Sequence, residues 1–204
     1  KKGISERRLK EELKKKGIQR NDIETAFYSV GRNEVEEIKN DKSLPDLDIK
    51  IENEKCNRYT GLVVKNVKEN KSTDQMAIRL FYCGMRSISL LVDLTNYLML
   101  EIGQPMHAFD KRYMDKVIVS SSKKGEKFMT LDDQERELPE GTMMIDNSKG
   151  HTAVAGIMGG ANSEIKEDTE ELFLESANFD AGTVRKSAVK LRLRTDASAR
   201  YEKS

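Results

Sequence analysis

The sequence changes in character near residue 45, and this change constrains the fold more than any other feature. After Pro45, short runs of β-type residues alternate with turn residues and a few helical segments. Leu47, Ile49 and Ile51 alternate with charged residues, as in a strand that buries one face. Further strands are predicted at residues 62–64, 117–119, 128–131, 142–145, 152–157 and 171–174. The pattern predicts an α+β fold with a layered β core, in which β-sandwich-like sheets carry packed helices.

Three helices are predicted in the same part of the chain. Ser72 and Gln75 form a capping box ahead of the first helix. An apolar helix follows from about residue 89 to 101, and Gly103 is its expected terminating residue. Asp180 is the predicted N-cap of the last helix.

Residues 1–45 form a separate predicted segment, a short N-terminal helical pair that precedes a second domain at 46–204. Residues 1–20 contain nine Lys or Arg and three Glu, whereas the formal net charge of the whole chain is +1. This local excess could bind phosphates, but a solvated helix face explains the same pattern and is the favoured interpretation. The Lys-Gly-Ile-Ser and Lys-Gly-Ile runs within residues 2–26 also resemble one three-helix repeat of the RecX recombination regulators.

The cysteines and the hydropathy pattern argue against several classes of protein. Cys56 and Cys83 lie far apart, outside any Cys-x-x-Cys pair, so neither a zinc site nor a disulfide framework is predicted. We expect a reduced, cytoplasmic setting. The most apolar stretch, residues 88–102, contains Asp93 and is too short for a membrane span. Because the chain opens on Lys1 without an initiator Met or an apolar leader, a fragment or processed form is expected.

His107, one of two histidines in the chain, follows Pro105 in a predicted loop. An imidazole with a pKa of about 6.5 can shuttle a proton or cap a turn, and the residues alone leave both interpretations open. Thr95 and Asn96 lie on the preceding predicted helix, on a face similar to that of Asp93. Polar groups in an apolar helix must be satisfied, so these side chains either line a cleft or bond to nearby backbone.

Small residues and an acid in the second half of the chain form another candidate set. Gly156, Gly159 and Gly160 follow an apolar strand, where either a ligand that approaches the backbone closely or a tight turn accounts for them. Glu175 is predicted at a strand end, where its carboxylate either points into a pocket or is an ordinary surface acid. No Gly-x-Ser-x-Gly motif surrounds any serine, so a serine-hydrolase triad is not expected.

Four motifs follow one another along the chain. Val-Asp-x-Thr-Asn-Tyr begins a run at residues 92–110 that ends in Gly-Gln-Pro-Met-His-Ala-Phe-Asp, and Gly-x-Met-Gly-Gly spans residues 156–160. Leu-Glu-Ser-Ala-x-Phe-Asp spans residues 174–180, and Leu-Arg-Thr-Asp-Ala-Ser-x-Arg-x-Glu-Lys spans residues 193–203, with Tyr201 where the family has Phe. Together they resemble the editing module of the bacterial phenylalanyl-tRNA synthetase β subunit. The resemblance implies hydrolysis of tyrosine wrongly esterified to the phenylalanine tRNA, while aminoacylation belongs to the partner α subunit.

The resemblance also implies roles for individual residues. Glu175 would accept a hydrogen bond from the tyrosine phenol, and backbone near Gly159 would help to enclose the ring. His107, Thr95 and Asn96 would orient a water molecule or the terminal adenosine beside the ester. The remaining substrate-binding positions that it implies are Gly160, Arg86, Thr195 and Ala197.

No metal or cofactor is expected for this hydrolysis, and ATP and magnesium are implied only for the parent synthetase. The expected partners are tRNA(Phe) and the α subunit of a parent heterotetramer, with no membrane and no DNA. One competing hypothesis is a non-catalytic RNA-binding module in which residues 1–30 contact phosphates. Another is a purely structural piece of a synthetase, and the salt dependence of tRNA binding separates these two alternatives.

Overall fold

The computed structural model describes residues 47–67 and 71–203. The predicted N-terminal helical pair, the domain boundary at 45/46 and the RecX-like run lie outside the described residues. The strands are β1 Ile49–Ile51, β2 Cys56–Val64, β3 Met106–Asp110, β4 Val117–Ser121, β5 Lys127–Met129, β6 Glu135–Glu137, β7 Met143–Asn147, β8 Gly150–Val154, β9 Met158–Gly159 and β10 Leu172–Phe179. The α-helices are α1 Asp74–Tyr82, α2 Leu90–Ile102, α3 Ala181–Lys190 and α4 Asp196–Tyr201.

The described strands form three sheets, which confirms the α+β class. A five-stranded sheet has the order β1-β4-β7-β8-β9, and its β1–β4 pair is parallel while the other pairs are antiparallel. A three-stranded antiparallel sheet has the order β2-β10-β3, with β10 at its centre. Strands β5 and β6 form a small two-stranded ribbon. Both edges of β10 are therefore fixed by pairing.

One hydrophobic cluster contains buried side chains from both larger sheets. Val119 and Ile145 come from the five-stranded sheet, and Phe109, Phe173 and Phe179 come from the three-stranded sheet. The rings of Phe109 and Phe173 stack with their centroids 6.2 Å apart. Full burial of side chains of this size stabilises the fold by about 1.5–3 kcal/mol each. The two sheets therefore share a core.

The start of α1 differs from the sequence prediction. Thr73, and not Ser72, is the N-cap, and its hydroxyl accepts a hydrogen bond from the backbone N–H of Met76 at 3.3 Å. The hydroxyl of Ser72 instead donates to the buried carboxylate of Asp93 at 2.5 Å. The predicted capping box was wrong because a tertiary partner, invisible to a local pattern, competes for the Ser72 side chain.

The other helix ends were easier to predict. α2 ends at Ile102, and its C-cap Gly103 has a φ of 81°, which glycine readily adopts. Asp180 caps α3 by accepting a hydrogen bond from the backbone N–H of Thr183, as predicted. The short helix α4 was not predicted, although Thr195 and Ser198 form a reciprocal capping box at its start.

His107 lies on strand β3, so its prediction as a loop residue was wrong. From Met106 to Asp110 the backbone of β3 pairs with β10 through five consecutive residue pairs. Pro105 marks the end of the connection from α2 and not the start of a longer loop. Pairing with a distant strand decides the conformation here.

Glu175 lies within β10, and its prediction as a strand-end residue was also wrong. The strand continues through Phe179, and residues 176–178 are small or polar. Such residues have a low intrinsic preference for strands, but pairing on both sides overrides it. The carboxylate is consequently held on the rigid central strand of its sheet.

Candidate functional site

The register of the three-stranded sheet brings an acid and an imidazole together. Glu175 of β10 lies opposite His107 of β3 and opposite Gly61 of β2. Directly opposed residues in antiparallel strands have Cβ atoms about 4.5–5.5 Å apart and share one face of the sheet. Two groups that can exchange hydrogen bonds with a ligand thus lie side by side.

A small cavity of about 60 Å³ lies over this face and is lined by both side chains. Its other walls include Ile145, residues 153–159 and Ala197. These walls are formed by apolar residues and glycines, and Tyr201 also lines the cavity. A few polar groups within apolar walls are typical of a site that binds and orients a small ligand group.

Glu175 is only 6% exposed, and one of its oxygens is already bonded. The hydroxyl of Tyr59 donates to Glu175 Oε2 at 2.6 Å. Burial raises the pKa of Glu175 to about 7, while the Tyr59 hydrogen bond acts in the opposite direction. Burial favours the neutral acid because the charged form loses its hydration. The group therefore changes charge near neutral pH.

His107 is partly buried and packs edge-on against Phe109, with ring centroids 4.4 Å apart. Burial lowers the pKa of His107 to about 4. The imidazole is therefore neutral at pH 7, with one nitrogen that donates and one that accepts. A neutral imidazole of this kind can orient a water molecule or a hydroxyl without adding charge to the cavity.

The glycines at β9 permit close packing beside His107. A Cβ at Gly159 would lie 2.8 Å from His107 Cε1 and Nε2 and 2.9 Å from Leu131 Cδ1. At Gly160, a Cβ would clash with Phe128 Cζ and would lie 2.6 Å from the Thr152 carbonyl oxygen. Gly159 belongs to the cavity wall, whereas the requirement for glycine at Gly160 comes from core packing.

The start of α4 supplies another part of the wall. The hydroxyl of Thr195 donates to the Ile157 carbonyl oxygen at 2.8 Å and accepts from the Ser198 backbone N–H at 3.1 Å. Thr195 thereby ties α4 to the segment that leads into β9, and Ala197 lines the cavity directly. Thr195 therefore fixes the position of the wall, and the small side chain of Ala197 leaves the cavity open.

The structure places the other predicted site residues outside the cavity lining. Thr95 on α2 is buried, and its hydroxyl donates to the Val92 carbonyl oxygen of its own helix at 2.8 Å. Asn96 is partly buried on the same helix, and Arg86 is exposed between α1 and α2. Of the two sequence alternatives for Thr95, bonding to nearby backbone is the one observed. The substrate roles of these three residues stay predictions.

Tyr59 is the site residue that sequence reasoning missed. It lies on β2, of which only residues 62–64 were predicted, because Asn57 and Arg58 interrupt the pattern of apolar residues. Tyr59 and Val63 are both buried and lie an even number of residues apart, so they share one face of the strand, and this spacing was the available signal.

A second, larger cleft of about 570 Å³ has a different chemistry. Its lining includes Arg112, Lys149, Lys166 and His151. His151 Nδ1 is 2.6 Å from Asp146 Oδ1, and its Nε2 is 3.1 Å from a Glu126 oxygen. The hydrogen bond to Asp146 raises the pKa of His151, against the effect of burial, and Glu126 adds to the rise.

Neither cavity contains an evident metal site. Within residues 47–67 and 71–203, no group of three or more His, Cys, Asp or Glu side chains is arranged to hold a metal ion. In the same residues, Cys56 is buried and Cys83 is exposed, and both are free thiols. No helix in this part of the chain has the length and apolar character needed to cross a membrane.

Known proteins resemble this chain over most of its length. The phenylalanine–tRNA ligase beta subunit of Clostridium acetobutylicum is 48% identical over 160 residues, which are 78% of this chain and 20% of that protein. The corresponding subunit of Aquifex aeolicus is 46% identical over 157 residues, which are 76% of this chain and 20% of that protein. The chain thus spans about a fifth of the length of these curated relatives.

A solved N-terminal fragment of the phenylalanyl-tRNA synthetase beta subunit from Pyrococcus horikoshii is also similar. Its TM-score is 0.45 at 12% identity, over 74% of this chain and 52% of that chain. The sequence relatives confirm the resemblance that the four motifs indicated. The model of the B3/4 domain family matches residues 55–204, which contain β2, β3, β10 and α4 and hence the whole cavity lining. The chain therefore belongs to the B3/4 domain family.

Proposed function

We propose that this chain is the editing module of a phenylalanine–tRNA ligase β subunit, which hydrolyses tyrosine from mischarged tRNA(Phe). The relatives' names support the parent enzyme, and the four motifs support the editing reaction. The observation that carries the proposal is a buried carboxylate, Glu175, beside a neutral imidazole, His107, in a small apolar cavity.

The cavity has the chemistry needed to distinguish tyrosine from phenylalanine. A synthetic site shaped for phenylalanine rejects an added hydroxyl by roughly a hundredfold at most, so a second site that selects the hydroxyl is useful. A tyrosine phenol can donate to the second oxygen of Glu175, whereas phenylalanine would leave that buried oxygen without a donor. An unpaired buried polar group costs about 1–3 kcal/mol, more if it is charged. Correctly charged tRNA would therefore escape hydrolysis.

Hydrolysis requires a positioned water more than a strong base. The aminoacyl ester is already reactive, and holding a water molecule against it supplies much of the rate by proximity. With a pKa lowered to about 4, His107 is neutral at working pH and orients this water or the terminal ribose. Thr95 and Asn96 are proposed to act from α2 on the adenosine side, where a bound tRNA end would bring the ester.

The proposed partners are tRNA(Phe) and the α subunit of the synthetase, in the cytoplasm. Hydrolysis by the residues named here uses no cofactor, and ATP with magnesium would serve the ligase reaction of the parent enzyme. The charged cleft around Lys149 and Lys166 is compatible with RNA contact, so a non-catalytic RNA-binding module is the second candidate function.

The first test is the rate of deacylation of tyrosyl-tRNA(Phe) and phenylalanyl-tRNA(Phe) by this chain, against spontaneous ester loss. Glu175→Ala should reduce the preference for the tyrosyl ester about tenfold or more, because the phenol loses its acceptor. His107→Ala should slow tyrosyl-ester hydrolysis by about a hundredfold, because the water loses its orienting group. Glu137→Ala, which changes an exposed residue outside both the cavity and the charged cleft, serves as the matched control.

Two results would contradict the proposal. Wild-type rate and selectivity in both cavity variants would remove Glu175 and His107 from the reaction. Background rates with this chain and also with the assembled synthetase that contains it would favour the RNA-binding alternative. Binding of tRNA that weakens steeply with salt would then support phosphate contacts.

A further inference from the structure

Tyr59 and Glu175 face each other within the sheet. Tyr59 of β2 lies opposite Ala177 of β10, two residues beyond Glu175 and therefore on the same face. Both side chains are nearly buried, with Tyr59 8% exposed. The Tyr59 hydroxyl reaches diagonally across the pair and donates to Glu175 Oε2 at 2.6 Å. This short bond fixes one oxygen of the carboxylate.

The second oxygen of Glu175 is in a different situation. Within the described residues, no donor bonds to Oε1, although the side chain lines the cavity. An ionised carboxylate can accept several hydrogen bonds through its two oxygens. A buried acceptor without a donor is costly, so a ligand that brings a donor to it gains affinity.

We propose that Tyr59 is a positioning residue for specificity: its hydroxyl holds Oε2 of Glu175 and so presents Oε1 to the phenol of a tyrosyl ester. This inference rests on the proposed function and assigns a specificity role to a residue of β2. Tyr59 does not touch the substrate in this arrangement. It acts through Glu175, by fixing the rotamer of the carboxylate and by favouring its ionised form.

The charges around Glu175 make this role measurable. Burial, followed by the negative charge of Glu175, raises the pKa of Tyr59 well above its usual value, so the phenol stays protonated. Cys56 on β2 has its pKa raised to about 11 by burial, and Tyr201 on α4 also has a raised pKa. The pKa of His107 on β3 is lowered to about 4.

The cavity walls from β7, β8 and β9 contribute Ile145, residues 153–154 and residues 158–159, which carry no titratable side chain. Of the groups that face this site, Glu175 is the one whose pKa of about 7 falls between pH 5 and pH 9. A pH dependence of substrate selection in that range therefore reports on Glu175.

The test compares Tyr59→Phe with the wild-type chain in deacylation of the two esters between pH 5 and pH 9. The variant keeps the ring and removes the donor. We expect the tyrosyl-to-phenylalanyl ratio of kcat/KM to fall about tenfold at pH 7, the size of one hydrogen bond to a charged group. We also expect the midpoint of the selectivity profile to move to higher pH, because the ionised carboxylate loses its donor. Tyr113→Phe, at an exposed tyrosine outside the cavity, is the matched control.

A second substitution covers the case in which Tyr59→Phe fails to fold. Replacing Tyr59 with 3-fluorotyrosine keeps the hydroxyl and makes it a stronger donor, so the midpoint should move to lower pH. A ratio and a midpoint that match the wild type in either folded variant would overturn the role of Tyr59. Failure of the proposed function is distinguished by the wild-type chain alone. If that chain showed no preference for the tyrosyl ester, both the editing function and the role of Tyr59 would be overturned.

Discussion

The two histidines of this chain stand in opposite environments. His107 lies in a small apolar cavity, where burial lowers its pKa to about 4. His151 lies at a larger polar cleft between Asp146 and Glu126, whose hydrogen bonds raise its pKa. One imidazole is held neutral and the other is stabilised as a cation. Residue type alone therefore does not indicate which histidine is neutral and able to bind a ligand without adding charge.

The acids next to the two histidines differ in the same way. Among the residues that the structure describes, no cation affects Glu175, and burial raises its pKa to about 7. Asp146 and Glu126 both bond to His151, and the pKa of Glu126 is lowered, first by the Lys123 backbone N–H. Glu175 thus keeps one oxygen available for a ligand, whereas both ring nitrogens of His151 are paired with acids of the protein.

The largest expected effect comes from closing the cavity with Gly159→Ala. The added methyl would lie 2.8 Å from the His107 ring, and the backbone on either side is held by Leu131 and Thr152 through hydrogen bonds at 3.0 and 2.8 Å. We expect tyrosyl-ester hydrolysis to fall about a hundredfold and stability to fall by about 1–3 kcal/mol. Single-turnover deacylation and urea unfolding measure the two effects.

Gly182→Ala is the control for that substitution. A Cβ there would meet only Asp180 Oδ1 at 3.5 Å, an ordinary contact, and the residue lies in α3. Alanine favours a helix over glycine by up to about 1 kcal/mol. Unchanged hydrolysis with equal or greater stability is expected. If Gly159→Ala behaved like this control, the cavity would not be the reactive site.

A smaller effect is expected in the pH dependence of stability after Glu175→Gln. The folded pKa of Glu175 is about 7 against an ordinary value of 4.5, so its contribution is full below pH 4.5 and is lost as pH rises toward 7. Glutamine does not ionise, so the variant does not lose stability in this way as the pH rises. Its stability relative to the wild type should therefore rise between pH 4.5 and 7, by at most about 3 kcal/mol. Urea unfolding at several pH values measures the difference in the free energy of unfolding between the variant and the wild type. A difference that does not change with pH would indicate that Glu175 is in contact with solvent.

The smallest effect is expected from His151→Gln at the cleft. Because the folded pKa is raised, His151 stabilises the fold fully below its unfolded pKa of about 6.5, and this contribution is lost as pH rises through the folded value. Relative to the wild type, the variant's free energy of unfolding should fall by on the order of 1 kcal/mol more at pH 6 than at pH 9. His107→Gln should show no such excess loss at pH 6, since its pKa is lowered. If stability depended on pH in the same way in the two variants, the two histidines would not have opposite pKa shifts.

Much of the cavity could be predicted from local motifs. His107, Gly159, Glu175 and Ala197 all belong to runs that were singled out in the sequence, and the structure brings them around one space. Thr95 belongs to the same motifs but bonds to its own helix. A motif specifies residue types and spacing, and it does not specify which way a polar helical side chain turns.

The parts that were missed depend on distant pairing. β2 extends to Cys56 because β10 pairs with it from residue 172 to 179, and this placed Tyr59 beside Glu175. His107 is extended for the same reason, since β3 pairs with the other edge of β10. Sequence periodicity is a local signal, whereas strand length in this sheet is set by partners about 60 or more residues away.

The continuous pairing of β10 also bears on how this domain can evolve. Residues 172–176 are paired on both edges without interruption, and the only irregularity comes later, between Asn178 and Phe179. A shift of one residue would turn Leu174 or Ser176 toward the cavity in place of Glu175. We therefore expect lineages of this domain to exchange side chains around the cavity one at a time. Insertions and deletions should persist only in the loops outside these three strands.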